Sequence, residues 1–371
     1  MKHTHKIFTL LIGLGFLIQG EAKAIYTKNK PALPSNSEQY QKLERAVEHY
    51  QKLKESEEWP QLSLGQQTEL KVTEHNLVVK DIKHRLELLG DIRGLNNTDV
   101  FNQRMEIAIR RFQNRHGMEE TGIINAALIK ALNVPLDTRI NQLKVNMERI
   151  LKEKTEVQGR RIVANIPEFK LYVYEDNQEV LTMDIVVGKT TNQTIVFTDE
   201  MNQIVFSPYW NVPASIVKSE IIPAMKRNKA YLRNNNMEII GTKDGLPDIR
   251  QKPGAKNSLG KVKFLFPNQY NIYFHDTPAK ALFSRKNRAF SHGCIRLSQP
   301  AELAKYLLKD NPKWTDEAIN RAMNSGNETY VKLDSPVPVS ISYYTAWVDE
   351  SGDVQFRDDI YGKDKQIVTT N

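Results

Sequence analysis

The spacing of apolar residues changes part-way along the chain. Tyr40, Leu43, Ala46, Val47, Tyr50 and Leu53 recur every three or four positions and predict an amphipathic helix. Trp59-Pro60 ends it, because proline disfavours helix at the residue before it. Three short stripes follow in residues 76–135: Val78, Ile82, Leu86 and Leu89 before Gly90; Ile107, Ala108, Ile109 and Phe112 before Gly117; and Ala126, Leu128, Ile129 and Leu132. They predict a three-helix unit, which by itself says nothing about ligands. Ile140, Leu143, Val145, Met147 and Ile150 predict a linker helix in residues 136–158.

Beyond Gly159 the period shortens towards two. Residues 162–166, 170–174, 180–187 and 203–206 read as strands, with a hairpin turn at Glu175-Asp176-Asn177-Gln178. A helical insert at 215–231, carrying Ile216, Ile221, Ile222 and Met225, interrupts them before strands resume at 262–266 and 270–274. Two helices come next, one opening at Ser298 with Pro300 in its first turn and one at Thr315 followed by Asp316 and Glu317. Strands at 330–333 and 337–348 and a turn at 350–353 close the pattern. Helices first and strands later predict an α+β multidomain protein: a helical scaffold segment (25–75), the three-helix unit (76–135), the linker, and a β-rich domain (159–333) of mixed-sheet or sandwich type. Residues 334–371 are expected to pack as strands on that domain or on the scaffold.

A length of 371 residues agrees with two or three domains. Residues 1–24 have Lys2 and Lys6, a short apolar run, and Ala22-Lys23-Ala24, the pattern of a cleaved secretory signal. That run is too short to span a bilayer, and no other stretch is long and apolar enough, so the mature chain is expected to lack a transmembrane segment. The 52 Lys and Arg against 44 Asp and Glu give +8. This excess is spread out, with no basic cluster or nucleic-acid motif, and argues against nucleic acid as a partner. An anionic wall polymer fits better. With one cysteine, Cys294, no disulfide forms within the chain.

That cysteine stands in the chemically informative region: Tyr273-Phe274-His275-Asp276-Thr277-Pro278, then Ser291-His292-Gly293-Cys294-Ile295-Arg296-Leu297. A thiol is mostly protonated at neutral pH, so a cysteine nucleophile needs a base or a positive neighbour. Strand alternation puts Tyr273 and His275 on one face and Ile272 and Phe274 on the other. His292 sits in the tight Ser291-His292-Gly293-Cys294 turn, where it shapes the loop. Gly293 lets the backbone approach a reacting carbonyl, so that amides near Cys294 form an oxyanion hole. Arg296 offers a fork of donors to a substrate carboxylate. Two other readings stay open: a buried structural cysteine, and a metal site from His275, Asp276, His292 and Cys294, although no pair has familiar zinc spacing.

The segment from His275 to Arg296 resembles the signature of the L,D-transpeptidase (YkuD) family: a histidine, a gap of under twenty residues, then Ser/Thr-His-Gly-Cys and often an arginine. Trp59-Pro60, Phe112-Gln113, His116-Gly117, Ser207-Pro208-Tyr209-Trp210-Asn211-Val212-Pro213, Phe266-Pro267-Asn268, Tyr344-Thr345-Ala346-Trp347 and Phe356-Arg357-Asp358-Asp359 are similar to its large, multidomain YcbB-like subgroup. The resemblance implies a peptidoglycan-binding-like role for residues 76–135. Here the usual Gly-Leu-x-x-Asp-Gly-x-x-Gly reads Gly117-Met118-Glu119-Glu120-Thr121-Gly122-Ile123-Ile124-Asn125, so the fold is expected to survive while glycan binding is in question. It also implies a cap over the catalytic cleft at about 212–258.

The function implied is an enzyme of the periplasm that joins peptidoglycan stem peptides through their third residues by way of a Cys294 thioester. His275 serves as general base or ion-pair partner, the backbone carbonyl at Asp276 orients it, and Gly293 lies in the oxyanion hole. Ser291, His292, Arg296, Tyr273, Tyr209 and Trp210 are candidate substrate-binding residues. No metal or organic cofactor is expected, and other cell-wall synthesis proteins are candidate partners. The alternatives are a carboxypeptidase or hydrolase on the same scaffold, and a wall-binding assembly protein without catalysis.

Overall fold

Alternation of apolar side chains builds the core of the β-rich domain in the computed structural model, which describes residues 36–94, 96–152 and 159–366. The predicted signal segment lies outside the described residues. Ile162 and Ala164, Leu171 and Val173, Ile185 and Val187, Ile204 and Phe206, Val262 and Phe264, and Ile295 and Leu297 are fully buried and face one another. Their strands form a nine-stranded mixed sheet in the order Ala289–Ser291, Gln178–Gly188, Ile295–Leu297, Phe274–His275, Val262–Leu265, Phe197–Phe206, Thr329–Ser342, Arg160–Asn165 and Lys170–Glu175. Lys170–Glu175 also pairs with Gln178–Gly188, so eight of the nine strands close into a ring. Closure leaves few edges exposed.

The hairpin predicted at residues 175–178 forms, with Glu175 opposite Gln178 and positive φ at Asp176 and Asn177. Positive φ at both central residues matches the right-handed twist of the flanking strands. Helices Pro300–Leu308 and Asp316–Asn324 cover the sheet with Leu303, Leu307, Ile319 and Met323. The Thr315 hydroxyl caps the second helix by accepting from the Ala318 amide. The first begins at Pro300 with Gln299 at its cap position, one residue later than the expected Ser298.

The N-terminal helices are α1 (Asn36–Ser56), α2 (Val78–Leu88), α3 (Gln103–Arg115), α4 (Ala126–Leu132) and α5 (Leu136–Lys152). Helices α2 to α4 share a core of Val79, Ile82, Leu86, Met105, Ile109, Phe112 and Leu128. Ile107 is exposed, which corrects its place in the predicted stripe: Met105, Ala108, Ile109 and Phe112 make the buried face. Leu43, Val47 and Tyr50 of α1 meet Leu136, Ile140 and Leu143 of α5, together with Trp347 and Phe356 of the hairpin formed by Ala346–Val348 and Val354–Phe356.

Polar contacts join these layers. Gln142 of α5 donates to the carbonyls of Thr345 and Arg357, and Asn165 at the end of a sheet strand donates to that of Tyr344. Arg115 and Asp91 form a bidentate pair, almost wholly buried, and Arg115 also donates to the carbonyl of Val354. The three-helix unit is thereby tied to the C-terminal hairpin.

The insert between Phe197–Phe206 and Val262–Leu265 is more than the helical cap expected. It contains short helices (Ala214–Ile216, Ile222–Arg227 and Tyr231–Asn234), but also a three-stranded sheet in the order Trp210–Asn211, Leu246–Gln251, Met237–Lys243. Asp244 and Gly245, both at positive φ, turn the hairpin. The periodic signal is weak because Ile239 and Ile240 are both exposed, and the hairpin reaches the small core of Val212, Ile216, Val217 and Ile221 through Ile249, fully buried, and Met237, partly buried.

Removing one partner of a buried ion pair strands the other charge, at a cost of about 3–5 kcal/mol. Asp91→Ala is therefore expected to lower unfolding free energy by about that much in urea titrations. A change under roughly 0.5 kcal/mol, typical of surface sites, would contradict the structural role of the pair.

Candidate active site

The dipeptide strand Phe274–His275 runs parallel to Ile295–Leu297, with Phe274 opposite Ile295 and His275 opposite Arg296. The Ile295 amide donates to the Tyr273 carbonyl at 3.2 Å. Phe274, Ile295 and Leu297 enter the core, so Tyr273, His275, Cys294 and Arg296 occupy the opposite face, as alternation predicts. The Tyr273 and His275 rings lie 5.7 Å apart.

Each group has a distinct setting. Cys294 is half-buried, with its sulfur 3.6 Å from the Asn271 carbonyl oxygen. Burial pushes its thiol up, while hydrogen bonds from the Tyr273 backbone and side chain and the charge of Arg296 pull the other way. The Tyr273 phenol is raised well above its ordinary value, chiefly by burial, and so stays a proton donor. His275 is buried; its Nδ1–H donates to the Asp276 carbonyl at 2.5 Å, which leaves Nε2 as the basic nitrogen. Burial and the nearby Arg296 charge push His275 down to about 3. At neutral pH the resting site thus holds a thiol and an uncharged imidazole. Arg296 is lowered by burial, and its Nε is buried without a hydrogen-bond partner.

The Asp276 carboxylate accepts from the amides of Lys261 and Thr277 and from Lys280. Those bonds fix the peptide whose carbonyl holds His275, so the side chain contributes to a role expected to need only the backbone. In the turn before the cysteine, the Ser291 hydroxyl donates to the Cys294 carbonyl and accepts from the Gly293 amide at 3.1 Å. The Gly293 amide is therefore already engaged, and the Tyr273 phenol lies within hydrogen-bond reach of the Cys294 sulfur. Gly293 has a φ of 119°, a conformation that favours glycine. His292 points outward, its Nε2 2.7 Å from Glu220 of the cap.

Tyr209 and Trp210 belong to the root of the cap. Trp210 packs on the cap's core and pairs with Gln251, and Arg250 lies over the Tyr209 ring at 4.3 Å. The Tyr209 amide also donates to Glu328, outside the cap, and the contacts of the two residues do not include Cys294. Among the described residues no group of three or more His, Cys, Asp or Glu side chains is arranged to hold a metal ion, and no helix is long and apolar enough to cross a membrane.

Three participants escaped the sequence reading. Thr194, fully buried, donates to the Gly293 carbonyl at 2.8 Å and accepts from the Gly188 amide. Asn271, at positive φ, presents its carbonyl to the thiol. Glu220 arrives from the cap. Their partners in the 292–294 turn are 23 to 99 residues away, and no local pattern marks such contacts. Only the positive-φ tendency of asparagine hinted at one of them.

Residues 159–338 match the L,D-transpeptidase catalytic domain, and residues 76–132 match a domain described as "Putative peptidoglycan binding domain". Residues 159–338 belong to the L,D-transpeptidase (YkuD) family. A curated relative from Haemophilus influenzae, "Putative L,D-transpeptidase", is 34% identical over 222 residues, which is 56% of this chain. The chain covers 45% of that relative's length. Among solved structures, an L,D-transpeptidase from Mycobacterium smegmatis is 14% identical (49% of this chain and 58% of that one covered, TM-score 0.28). One from Stackebrandtia nassauensis is 14% identical (74% and 97% covered, TM-score 0.27). The sequence match over residues 159–338 carries the assignment.

Within this L,D-transpeptidase domain, Gly260 has a φ of 63°, and a Cβ there would lie 2.3 Å from an Asp276 carboxylate oxygen. Gly260→Ala is expected to combine backbone strain with this clash, destabilise the protein by about 1–3 kcal/mol, and slow thiol acylation by loosening His275. Thermal unfolding and acylation rates check both; an unchanged acylation rate would separate the Asp276 side chain from the histidine.

Proposed function

We propose that the protein is a cysteine-dependent L,D-transpeptidase that makes third-to-third cross-links between peptidoglycan stems in the periplasm. The observation that carries this reading is the shared face of Tyr273, His275, Cys294 and Arg296 on two paired parallel strands within an L,D-transpeptidase domain.

The donor is a stem ending in a D-amino acid, whose terminal carboxylate the Arg296 guanidinium binds. As the sulfur of Cys294 adds to the amide carbon before that residue, its proton passes to Nε2 of His275. The charge appearing on the former carbonyl oxygen is met by the Tyr273 hydroxyl. Collapse breaks the C–N bond, the imidazolium returns the proton to the departing amine, and a thioester remains. An amine from a second stem attacks the thioester carbon, releases the sulfur and forms the cross-link. The cap restricts water while the thioester waits. Residues 76–132 hold the enzyme to its polymer.

Starting from neutral partners saves the cost of keeping two ions in a buried site. The sign of the pH dependence follows. His275 is lowered, so its base form persists as pH falls far below 6.5, and Cys294 is raised, so the thiol persists past 9.0. Acylation by a carbapenem, followed by intact mass, is expected to be flat between about pH 5 and 8. An acid limb centred near the ordinary histidine value would overturn the neutral pair.

Purified protein incubated with tetrapeptide-bearing muropeptides is expected to give cross-linked dimers, with none from Cys294→Ala and a rate about 10²-fold lower or worse from His275→Ala. Trimmed monomers alone would establish a hydrolase, and no turnover with no carbapenem adduct would establish a non-catalytic wall-binding protein.

A further inference from the structure

His292 is two residues before the nucleophile, yet it faces away from His275's buried environment and towards the cap. Its Nε2 lies 2.7 Å from Oε1 of Glu220, and the side chains remain 34% and 48% exposed. Beside a carboxylate, Nε2 carries the proton and donates it, which leaves Nδ1 as a free base.

The segment carrying Glu220 has an unusual backbone. Val217–Ile221 is a π-helical turn, and the Ile222 amide donates to the Val217 carbonyl five residues back. Pro223 follows directly; it has no N–H to offer and crowds the preceding turn. Widened turns of this kind recur at functional sites. Val217 and Ile221 anchor the segment in the cap core while Glu220 projects to the nucleophile's loop.

We propose that Glu220 and His292 form the acceptor-amine site of the enzyme, a proposal that rests on the transpeptidase reading above. The side-chain amine of a stem arrives as an ammonium ion, with an ordinary pKa near 10.4, and cannot attack until it loses a proton. The Glu220 carboxylate binds the ammonium, which distinguishes the amine from water. Nδ1 of His292 takes one proton, giving an imidazolium held by Glu220. The freed nitrogen pair adds to the thioester carbon, a C–N bond forms, and the C–S bond breaks. The sulfur leaves as thiolate and receives the second amine proton through Nε2 of His275. His292 then releases its proton to solvent, so the site returns to its starting state. Separate bases thus serve the two half-reactions: buried His275 for the thiol, and exposed His292 for the acceptor.

The test uses full-length protein, a tetrapeptide muropeptide as donor, and two acceptors: a stem carrying a charged side-chain amine, and hydroxylamine, which is uncharged at neutral pH. For Glu220→Gln, transfer to the charged stem amine is expected to fall roughly 10- to 100-fold, with more trimmed monomer from water. Transfer to hydroxylamine and the rate of thioester formation are expected to stay within about twofold. Glu220→Asp, which keeps the carboxylate, is expected to recover part of the transfer. Equal losses with both acceptors would reduce Glu220 to a structural strut, and no loss with either would remove it from the reaction; both results overturn the proposal while leaving the transpeptidase reading standing. Failure of the wild-type protein to form a thioester would instead overturn that reading, and this one with it.

Discussion

Two residues of parallel pairing hold the chemistry together. Phe274–His275 lies beside Ile295–Leu297, and because Phe274, Ile295 and Leu297 are sunk in the core, the other faces of both strands have no freedom to turn away. Parallel strands cannot be joined by a tight turn; the connection has to cross over, which takes a dozen or more residues. The interval of 19 residues between His275 and Cys294 is the length of that crossover, which contains the turn Lys280–Ser284 and the edge strand Ala289–Ser291. The closed sheet supplies the rigidity, since its neighbouring strands clamp this pair from both sides.

Around that clamp, burial and hydrogen bonding divide the labour. Burial keeps the thiol and imidazole uncharged, so the resting site stores no ion pair. Hydrogen bonds decide direction: Asp276 turns His275 so that Nε2 is basic, while Ser291 and Thr194 fix the Gly293 turn through its amide and carbonyl. Arg296 is the permanent charge on this face, left with an unpaired Nε in a site that a carboxylate suits.

The remaining layers act at a distance. The three-helix unit is not loosely tethered, because Arg115, Asp91 and Arg111 lock it to the C-terminal hairpin, and Gln142 and Asn146 lock α5 to the same segment. That segment continues to Tyr361, whose hydroxyl donates to the Gly188 carbonyl next to Thr194 and the nucleophile's turn. Polar contacts therefore link the helical scaffold to the C-terminal segment, and that segment to the loop that carries Cys294.

The sequence by itself determined most elements, because their signals are local. Periods of two and of three to four residues located the strands and helices, the polar run Glu175-Asp176-Asn177-Gln178 marked a hairpin, and the Ser291–Cys294 turn with His275 pointed to the candidate site. It missed the cap's hairpin, where Ile239 and Ile240 face solvent and blur the alternation. Tertiary structure alone decided the closure of the sheet, the engagement of the Gly293 amide by Ser291, the placement of Tyr209 and Trp210 at the cap's root, and the arrival of Thr194, Asn271 and Glu220 at the site. These depend on contacts between residues far apart in the chain, and on the charge states that burial imposes. A residue's neighbours in sequence constrain its backbone; its pKa and its partners are set by whatever the fold packs against it.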